Sequence, residues 1–313
     1  MMNIRTYQPG DEVGQAAIYN AAAADLPKFK PATVEEVRRR CQAANFDPQT
    51  RAFAEQGSRL LGYATFHPNG RVSYPWCLPG FEAAAEPLFR HVLEAMRRCG
   101  LHAAFAAYRG DWPVQQAFFL ERGFRLAREM LNFRLELHEM TTRVVKASFG
   151  FSSLRREDIA GVRALAPTAL RTTSDEELER HWLHNPHFPG NAFFVLRTTR
   201  DKAPVAAGIL IQNADYADVR AVDAAMPCFR LGAFGTEGMQ TKRLNGLFSF
   251  LARDDANLMT YAAALHDQAA CRLERMEGAA LAAQVPSDAP HLVRFYKQRF
   301  RQQAGFPILE RTL

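Results

Sequence analysis

The chain contains one stretch twice: Asp111-Trp112-Pro113 with the aromatic pair Phe118-Phe119 after it, and Asp288-Ala289-Pro290 with Phe295-Tyr296 after it. Each matched position in the second stretch lies 177 residues after its counterpart in the first. An offset of that size is the length of a whole domain and is too long for the repeat unit of a solenoid. The sequence therefore predicts that one domain has been duplicated.

A second match, earlier in each copy, shows where the copies differ in length. Gly62 follows Leu60-Leu61 in one predicted strand, Gly208 follows Val205-Ala206-Ala207 in another, and these two glycines are 146 residues apart. The second copy must therefore contain roughly thirty extra residues. We expect an N-terminal domain over 1–140 and a C-terminal domain over 149–313, with the extra residues inserted at about 213–245.

The composition is that of ordinary soluble domains. With 313 residues, of which 48% are hydrophobic, each copy is long enough to bury its own core. No apolar run approaches the length that spans a membrane, and the amino end leads directly into a strand pattern, so we expect a cytoplasmic protein without a membrane partner. The 5 cysteines are widely spaced and form no Cys-x-x-Cys pair, which predicts neither a disulfide framework nor a zinc ribbon.

The net charge of +6 comes from scattered arginines rather than from one basic tract. Local clusters such as Arg97-Arg98 are typical of solvated helix faces, although some could serve an anionic ligand. Nucleic-acid binding is a second interpretation of the positive net charge. The sequence argues against it, because no concentrated basic stripe is interleaved with aromatic residues.

The predicted order of elements is the same in both copies: a strand, two helices, three antiparallel strands, then helix, strand, helix and strand. This order resembles the GNAT acyltransferase superfamily, and Phe118-Phe119 with Gly123-Phe124 resembles a feature of many members. In the second copy the Gly-Phe pair is either absent at Arg299-Phe300 or displaced to Gly305-Phe306. The resemblance covers nearly the whole chain. It implies an α/β (α+β) fold of two GNAT-like domains, each a mixed, mostly antiparallel twisted sheet with a splayed parallel pair, flanked by helices.

The family's cofactor motif places small residues at a helix N-terminus, where backbone N–H groups hold a pyrophosphate. Both copies depart from the motif. The first has Glu82 where the family has a cation, and the second keeps Arg253 but follows it with Asp254 and Asp255. These carboxylates would compete with phosphate for the same N–H groups, unless they are ordinary helix caps that face away from the groove.

The resemblance implies acetyl-CoA, or another acyl-CoA, as cosubstrate and favours the second copy as the site of chemistry. A tyrosine on the last helix commonly protonates the departing thiolate in such enzymes; Tyr296 stands at that position, whereas the first copy has Phe119, and we expect the N-terminal copy to be degenerate. A core aromatic is the alternative reading of Tyr296. Glu237, in the insertion, is a candidate general base. The predicted cofactor contacts are Ser249, Phe250, Leu251, Ala252, Arg253, Asp254, Asp255, Ala256, Asn257 and Leu258.

A metal site is the remaining chemical candidate, since His181, His184 and His187 are spaced three apart. Prolines at 186 and 189 should end the helix before the third histidine, so we predict no metal. The expected function is transfer of an acyl group to an amine of a small molecule or peptide, with acceptor, acyl chain and oligomeric state left open. The alternative is a catalytically silent pair that binds a ligand or a protein partner.

Overall fold

The computed structural model describes residues 2–27, 29–42, 46–139, 149–165, 174–184, 190–199, 203–212, 246–274, 280–303 and 305–313. The predicted insertion at 213–245, with Glu237, lies outside these residues, as does His187. Among the described residues, no helix has both the length and the apolar character that crossing a membrane requires.

The helices within the described residues are α1 (Asp11–Ala22), α2 (Val34–Cys41), α3 (Ala85–Arg98), α4 (Pro113–Leu120), α5 (Ile159–Leu165), α6 (Asp175–Trp182), α7 (Leu258–Glu274) and α8 (Pro290–Arg299). The strands are β1 (Asn3–Thr6), β2 (Arg51–Gln56), β3 (Arg59–Thr65), β4 (Trp76–Cys77), β5 (Ala103–Ala107), β6 (Arg125–Glu136), β7 (Phe149–Ser153), β8 (Phe193–Thr198), β9 (Ala206–Gln212), β10 (Gly246–Ala252), β11 (Ala280–Pro286), β12 (Arg301–Gln302) and β13 (Phe306–Thr312). In both copies the repeated stretch begins a helix with proline, α4 and α8, because proline lacks an N–H that the first turn would leave unpaired.

The chain forms two compact units. The first contains the described residues up to Met130 together with Gly305–Leu313, and the second contains the described residues between 131 and 303. These bounds differ from the sequence boundaries of 1–140 and 149–313 at the last strand of each copy. Residues 131–136 of β6 lie in the second unit, next in strand order to β11, and β13 lies in the first unit, antiparallel to β5 from Ile308 to Thr312. Strand pairing, rather than order along the chain, decides which unit each strand completes.

The first unit has an antiparallel sheet in the order β1-β2-β3-β4, with β5, β13 and the first half of β6 pairing beside it in that order. Helices α3 and α4 bury their apolar faces in one core whose largest fully buried members are Leu88, Phe89, Phe119 and Phe124. Leu309 of β13 belongs to the same core, so the end of the chain contributes to the packing of the first unit.

The second unit orders its strands β7-β8-β9-β10-β11, followed by the second half of β6. The pairs from β7 to β10 are antiparallel and the pair β10-β11 is parallel. Its core includes Phe194, Phe248, Phe295 and Tyr296, each at most 2% exposed. The mixed, mostly antiparallel sheet with a parallel pair, flanked by helices, confirms the fold class predicted from the sequence.

The two matched glycines lie at equivalent crowded positions. A Cβ on Gly62 would stand 2.9 Å from both the Cys77 sulfur and the Trp76 carbonyl oxygen, and a Cβ on Gly208 would stand 2.6 Å from the Phe194 ring. Such distances are shorter than van der Waals contact, so each strand accepts only glycine there without a local shift.

Candidate active site

The parallel pair of the second unit separates soon after it begins. Gly246 and Leu247 of β10 lie opposite Leu281 and Ala282 of β11, and the pairing of these strands stops there. On its other edge β10 stays paired with β9 as far as Ala252. Strand β11 therefore leaves β10 and opens a gap between residues 248–252 and 283–286, which we call the second-unit wedge.

Backbone groups of β10 face this wedge. The N–H of Arg253 donates to the Val205 carbonyl at 2.9 Å, which fixes the alternation of the β10-β9 ladder. In an antiparallel ladder every second residue directs its N–H and C=O to the opposite edge, so Phe248, Phe250 and Ala252 direct theirs toward β11. An extended chain carrying amide groups can bind such an edge as an added strand would.

Tyr296 lies where the parallel pairing ends. Its hydroxyl donates to the carbonyl oxygen of Phe248 at 3.4 Å, and the residue is only 2% exposed. The ring stacks on Phe133 and packs on Phe250 and Phe300 at centroid distances of 5.5, 5.9 and 5.0 Å. Burial raises the pKa of Tyr296, so the hydroxyl stays protonated at neutral pH and can serve as a donor.

The turn after β10 is closed by one of its own carboxylates. Asp255 accepts a hydrogen bond from the N–H of Asn257 at 2.7 Å and pairs with Arg253 Nε at 2.8 Å. The hydroxyl of Tyr261 donates to the same carboxylate at 3.4 Å, and Arg253 in turn donates to that hydroxyl at 3.2 Å. Partial burial alone would raise the pKa of Asp255, but the Asn257 N–H and Arg253 lower it overall. The N-terminus of α7 thus already holds an anion.

The other predicted contact residues differ in accessibility. Asp254, Ala256 and Asn257 are exposed on the turn. The remaining strand residues, Ser249, Leu251 and Ala252, and the first residue of α7, Leu258, are half-buried. Strand and turn therefore form a continuous, partly open surface, with Tyr296 beneath its buried end and Asp255 at its outer end.

The first unit has a corresponding gap that its own side chain fills. Its parallel contact is the bridge between Arg71 and Phe105, with the Val72 N–H donating to the Phe105 carbonyl at 2.9 Å. Beyond that point the N–H of Tyr74 donates to the Tyr108 hydroxyl at 2.5 Å. Burial raises the pKa of Tyr108 to about 12, so this hydroxyl also stays neutral. We call this gap the first-unit wedge.

The repeat shows what distinguishes the two wedges. At the 177-residue offset Tyr108 corresponds to Val285 and Phe119 to Tyr296. The hydroxyl therefore lies directly after β5 in the first copy and on α8 in the second. The bridge Arg71–Phe105 matches the pair Leu247–Ala282, which places Phe250 at the position of Tyr74. Val285 has no hydroxyl that could accept a hydrogen bond from the Phe250 N–H.

The helix start beside the first-unit wedge also carries its own carboxylate. Glu82 accepts a hydrogen bond from the Gly80 N–H at 2.9 Å. The N–H groups of Glu82 itself and of Gly80 lower the pKa of this exposed carboxyl. Both helix starts therefore direct N–H groups at an acidic side chain.

Sequence reasoning missed a buried polar cluster that anchors the helix carrying Tyr296. Asp267 Oδ1 lies 3.2 Å from His266 Nδ1 and 3.3 Å from an Arg299 guanidinium nitrogen, which links α7 to the end of α8. His266 Nε2 is buried without a hydrogen-bond partner among the described residues, and burial lowers the pKa of His266 despite the nearby Asp267. In the sequence His266 stands among apolar residues such as Leu265 and Ala269, which indicates only core packing. Nothing in the sequence pointed to its contact with Asp267 or to the link with Arg299.

The histidines considered for a metal show no ligand cluster where the chain is described. His184 Nε2 lies 3.5 Å from a Glu179 carboxylate oxygen. No group of three or more His, Cys, Asp or Glu side chains in the described part of the chain could hold a metal ion.

Comparison with known proteins identifies the fold. No family model matches the sequence, and no curated protein matches it. A solved GCN5-related N-acetyltransferase from Sphaerobacter thermophilus is 14% identical with a TM-score of 0.66, and the match covers 99% of this chain and 95% of that one. A tandem GNAT protein from the clavulanic acid biosynthesis pathway is 12% identical with a TM-score of 0.59, covering 100% of this chain and 98% of that one.

A third solved structure matches over part of its own length. It is a GCN5-related glucosamine N-acetyltransferase region in a fungal multi-domain GH3 beta-N-acetylglucosaminidase, with 12% identity and a TM-score of 0.69. The match covers 99% of this chain and 38% of that one. At these identities the likeness establishes the fold alone, and it confirms the GNAT-like fold that the order of elements implied.

Proposed function

We propose that this tandem GNAT-type protein transfers an acyl group from acyl-CoA to an amine of a small molecule or peptide, and that the second unit is the catalyst. The observation that carries the proposal is the second-unit wedge. Its β10 edge presents the backbone groups of Phe248 and Phe250, and Tyr296 donates to Phe248 where the parallel pairing stops.

In the proposed acyl transfer, the backbone N–H of Phe250 and the hydroxyl of Tyr296 each have one role. The amine nitrogen attacks the thioester carbonyl carbon, and the N–H of Phe250 donates to the oxyanion that forms. Collapse of this intermediate breaks the carbon–sulfur bond, and the thiolate takes the proton of Tyr296. The phenolate then regains a proton from the amine nitrogen by way of solvent. For this transfer Tyr296 must exchange its hydrogen bond to Phe248 for one to sulfur.

The first unit is proposed to have no acyl-transfer activity. Its equivalent N–H, on Tyr74, already donates to Tyr108, and Phe119 stacks on that ring at a centroid distance of 5.7 Å. The residue matching Tyr296 is Phe119 itself, which has no proton to transfer. An acyl-CoA would have to displace the half-buried Tyr108 side chain to enter this wedge, so we expect one binding site in the chain.

A silent pair of domains is the second candidate, favoured by Glu82 and Asp255. Each accepts a backbone hydrogen bond at a helix start where the motif needs an open amide. Calorimetric titration of the full chain with acetyl-CoA separates the candidates: we expect a stoichiometry of one, whereas zero would favour the silent pair and two would contradict the assignment of the first unit.

The catalytic role of Tyr296 is tested by Tyr296→Phe. Acetyl transfer to an amine panel should fall about ten- to a thousandfold, with acetyl-CoA affinity nearly unchanged, because only the proton is removed. Tyr108→Phe is the matched control in the first unit and should leave turnover within about twofold. An undiminished rate in Tyr296→Phe would remove this residue from the mechanism.

A further inference from the structure

The first unit carries a cationic depression beside helix α3. It has a volume of about 190 Å³ and lies along one face of α3, where Phe89 and Leu93 form an apolar floor. Arg90 and Arg97 of the same helix line it, with Glu86 at one end. Because these α3 positions are three or four residues apart, they share one side of the helix.

Two further arginines complete the depression and are held in place by backbone groups. Arg122 donates through Nε to Glu86 at 2.9 Å and through a terminal nitrogen to the Phe118 carbonyl at 2.8 Å. Its guanidinium carbon lies 3.6 Å from the centroid of the Phe118 ring. Arg311 of β13 donates to the Arg122 carbonyl at 2.8 Å. These bonds fix the orientation of both guanidinium groups while leaving further N–H donors on each.

The charges in the depression are not balanced. Glu86 is the one carboxylate among its lining residues, against four arginines, and Glu121, outside the lining, lies 3.6 Å from Arg122. Arg90 and Arg97 are exposed, and their side chains form no hydrogen bond or ion pair with any described residue. Guanidinium groups gathered around a concave apolar floor repel one another until an anion neutralises them.

We propose that this depression is a binding site for a small organic molecule bearing a phosphate or diphosphate group. Arginine donors match phosphate oxygens in pairs, and Phe89 with Leu93 would contact the organic part. The compact volume suits a small ligand. A single-stranded nucleic acid would instead need cations along a groove and aromatic faces for its bases. The site is separate from the second-unit wedge, so the proposal does not depend on acyl transfer.

The test is calorimetric titration of the full chain with inorganic pyrophosphate at constant ionic strength. We expect saturable binding to the wild type that weakens about tenfold in Arg97→Gln and in Arg90→Gln, since each removes a charge-assisted contact. Both residues are exposed, so neither variant should affect folding. Arg98→Gln is the matched control, because Arg98 is exposed on the same helix but does not line the depression; its affinity should stay within about twofold of the wild type.

Glu86→Gln should change the affinity for pyrophosphate in the opposite direction. Removing the carboxylate releases Arg122 and should strengthen pyrophosphate binding about three- to tenfold. The proposal is overturned if the wild type shows no saturable binding, if Arg98→Gln weakens binding as much as Arg97→Gln, or if single-stranded RNA binds more tightly than pyrophosphate and depends on the same arginines. None of these results bears on Tyr296 or on acetyl-CoA stoichiometry.

Discussion

Replacing Asp255 by asparagine should make the second unit bind acetyl-CoA more tightly. The carboxylate now holds the Asn257 N–H at 2.7 Å and Arg253 at 2.8 Å, and the proposed function would use both donors for the pyrophosphate of acetyl-CoA. Asparagine can still accept the Asn257 hydrogen bond as a neutral cap. The substitution therefore removes the charge that opposes phosphate and leaves the helix start intact.

The size of the effect follows from the position of the charge. Two unit charges about 4 Å apart interact by about 1 kcal/mol in water and about 4 kcal/mol near a protein surface. Asp255 is 32% exposed, so a value of about 1.4 kcal/mol is reasonable and corresponds to about tenfold in affinity. The lost pair with Arg253 is itself exposed and should reduce the free energy of unfolding by about 0.2–1 kcal/mol.

The assay is calorimetric titration with acetyl-CoA, accompanied by thermal unfolding of each variant. Asp254→Asn is the matched control, because Asp254 is exposed on the same turn and its replacement changes the net charge equally. We expect Asp254→Asn to strengthen binding by less than about threefold, through long-range charge only. The reasoning is refuted if Asp255→Asn leaves the dissociation constant unchanged, or if the two variants tighten binding equally.

The remaining predictions concern stability. Asp255→Asn should lower the melting temperature at pH 7. The folded-state pKa of Asp255 is lowered from 3.8, so its stabilisation is complete well above pH 3.8 and is lost as pH falls from there through the folded-state pKa. A melting-temperature difference that does not shrink as pH falls below 3.8 would contradict this. Tyr108→Phe should reduce the free energy of unfolding by about 0.5–1.5 kcal/mol in denaturant titration, because the partly buried Tyr74 N–H loses its acceptor; no loss would mean that water replaces the hydroxyl. Gly208→Ala and Gly62→Ala should each reduce the free energy of unfolding by about 1–3 kcal/mol, since each new Cβ would overlap a neighbour. Gly57→Ala is the control: its Cβ would meet nothing within 4 Å, but its φ is +62°, so any loss of stability there reports backbone strain without crowding.

Much of the fold could be predicted from the sequence because its signals are local. Proline at the start of α4 and α8 recurs in both copies and reflects a constraint within the first helical turn. The glycine in β3 and β9 also recurs, and what crowds it is a neighbouring strand. The acidic residues at both helix starts were also visible, together with the question of whether they face the groove. The structure adds that Asp255 and Glu82 themselves accept backbone hydrogen bonds there.

Other parts of the candidate site depend on contacts between distant residues. Tyr108 reaches Tyr74 across 34 positions, and Arg299 reaches Asp267 across 32, so neither contact has a local pattern. Aligning the two copies already shows that the first has a tyrosine at 108 and the second has one at 296. Only the structure shows that both tyrosines face a wedge.

The sequence by itself determined the duplication, the order of elements and the residues that could carry chemistry, because these follow from periodicity, turn residues and side-chain type. Only the tertiary structure decided where β6 and β13 pair, which wedge is filled, and which arginines meet on α3. The physical reason is that backbone hydrogen bonds and packing join segments far apart in the chain, and their geometry is fixed only when the whole unit is folded.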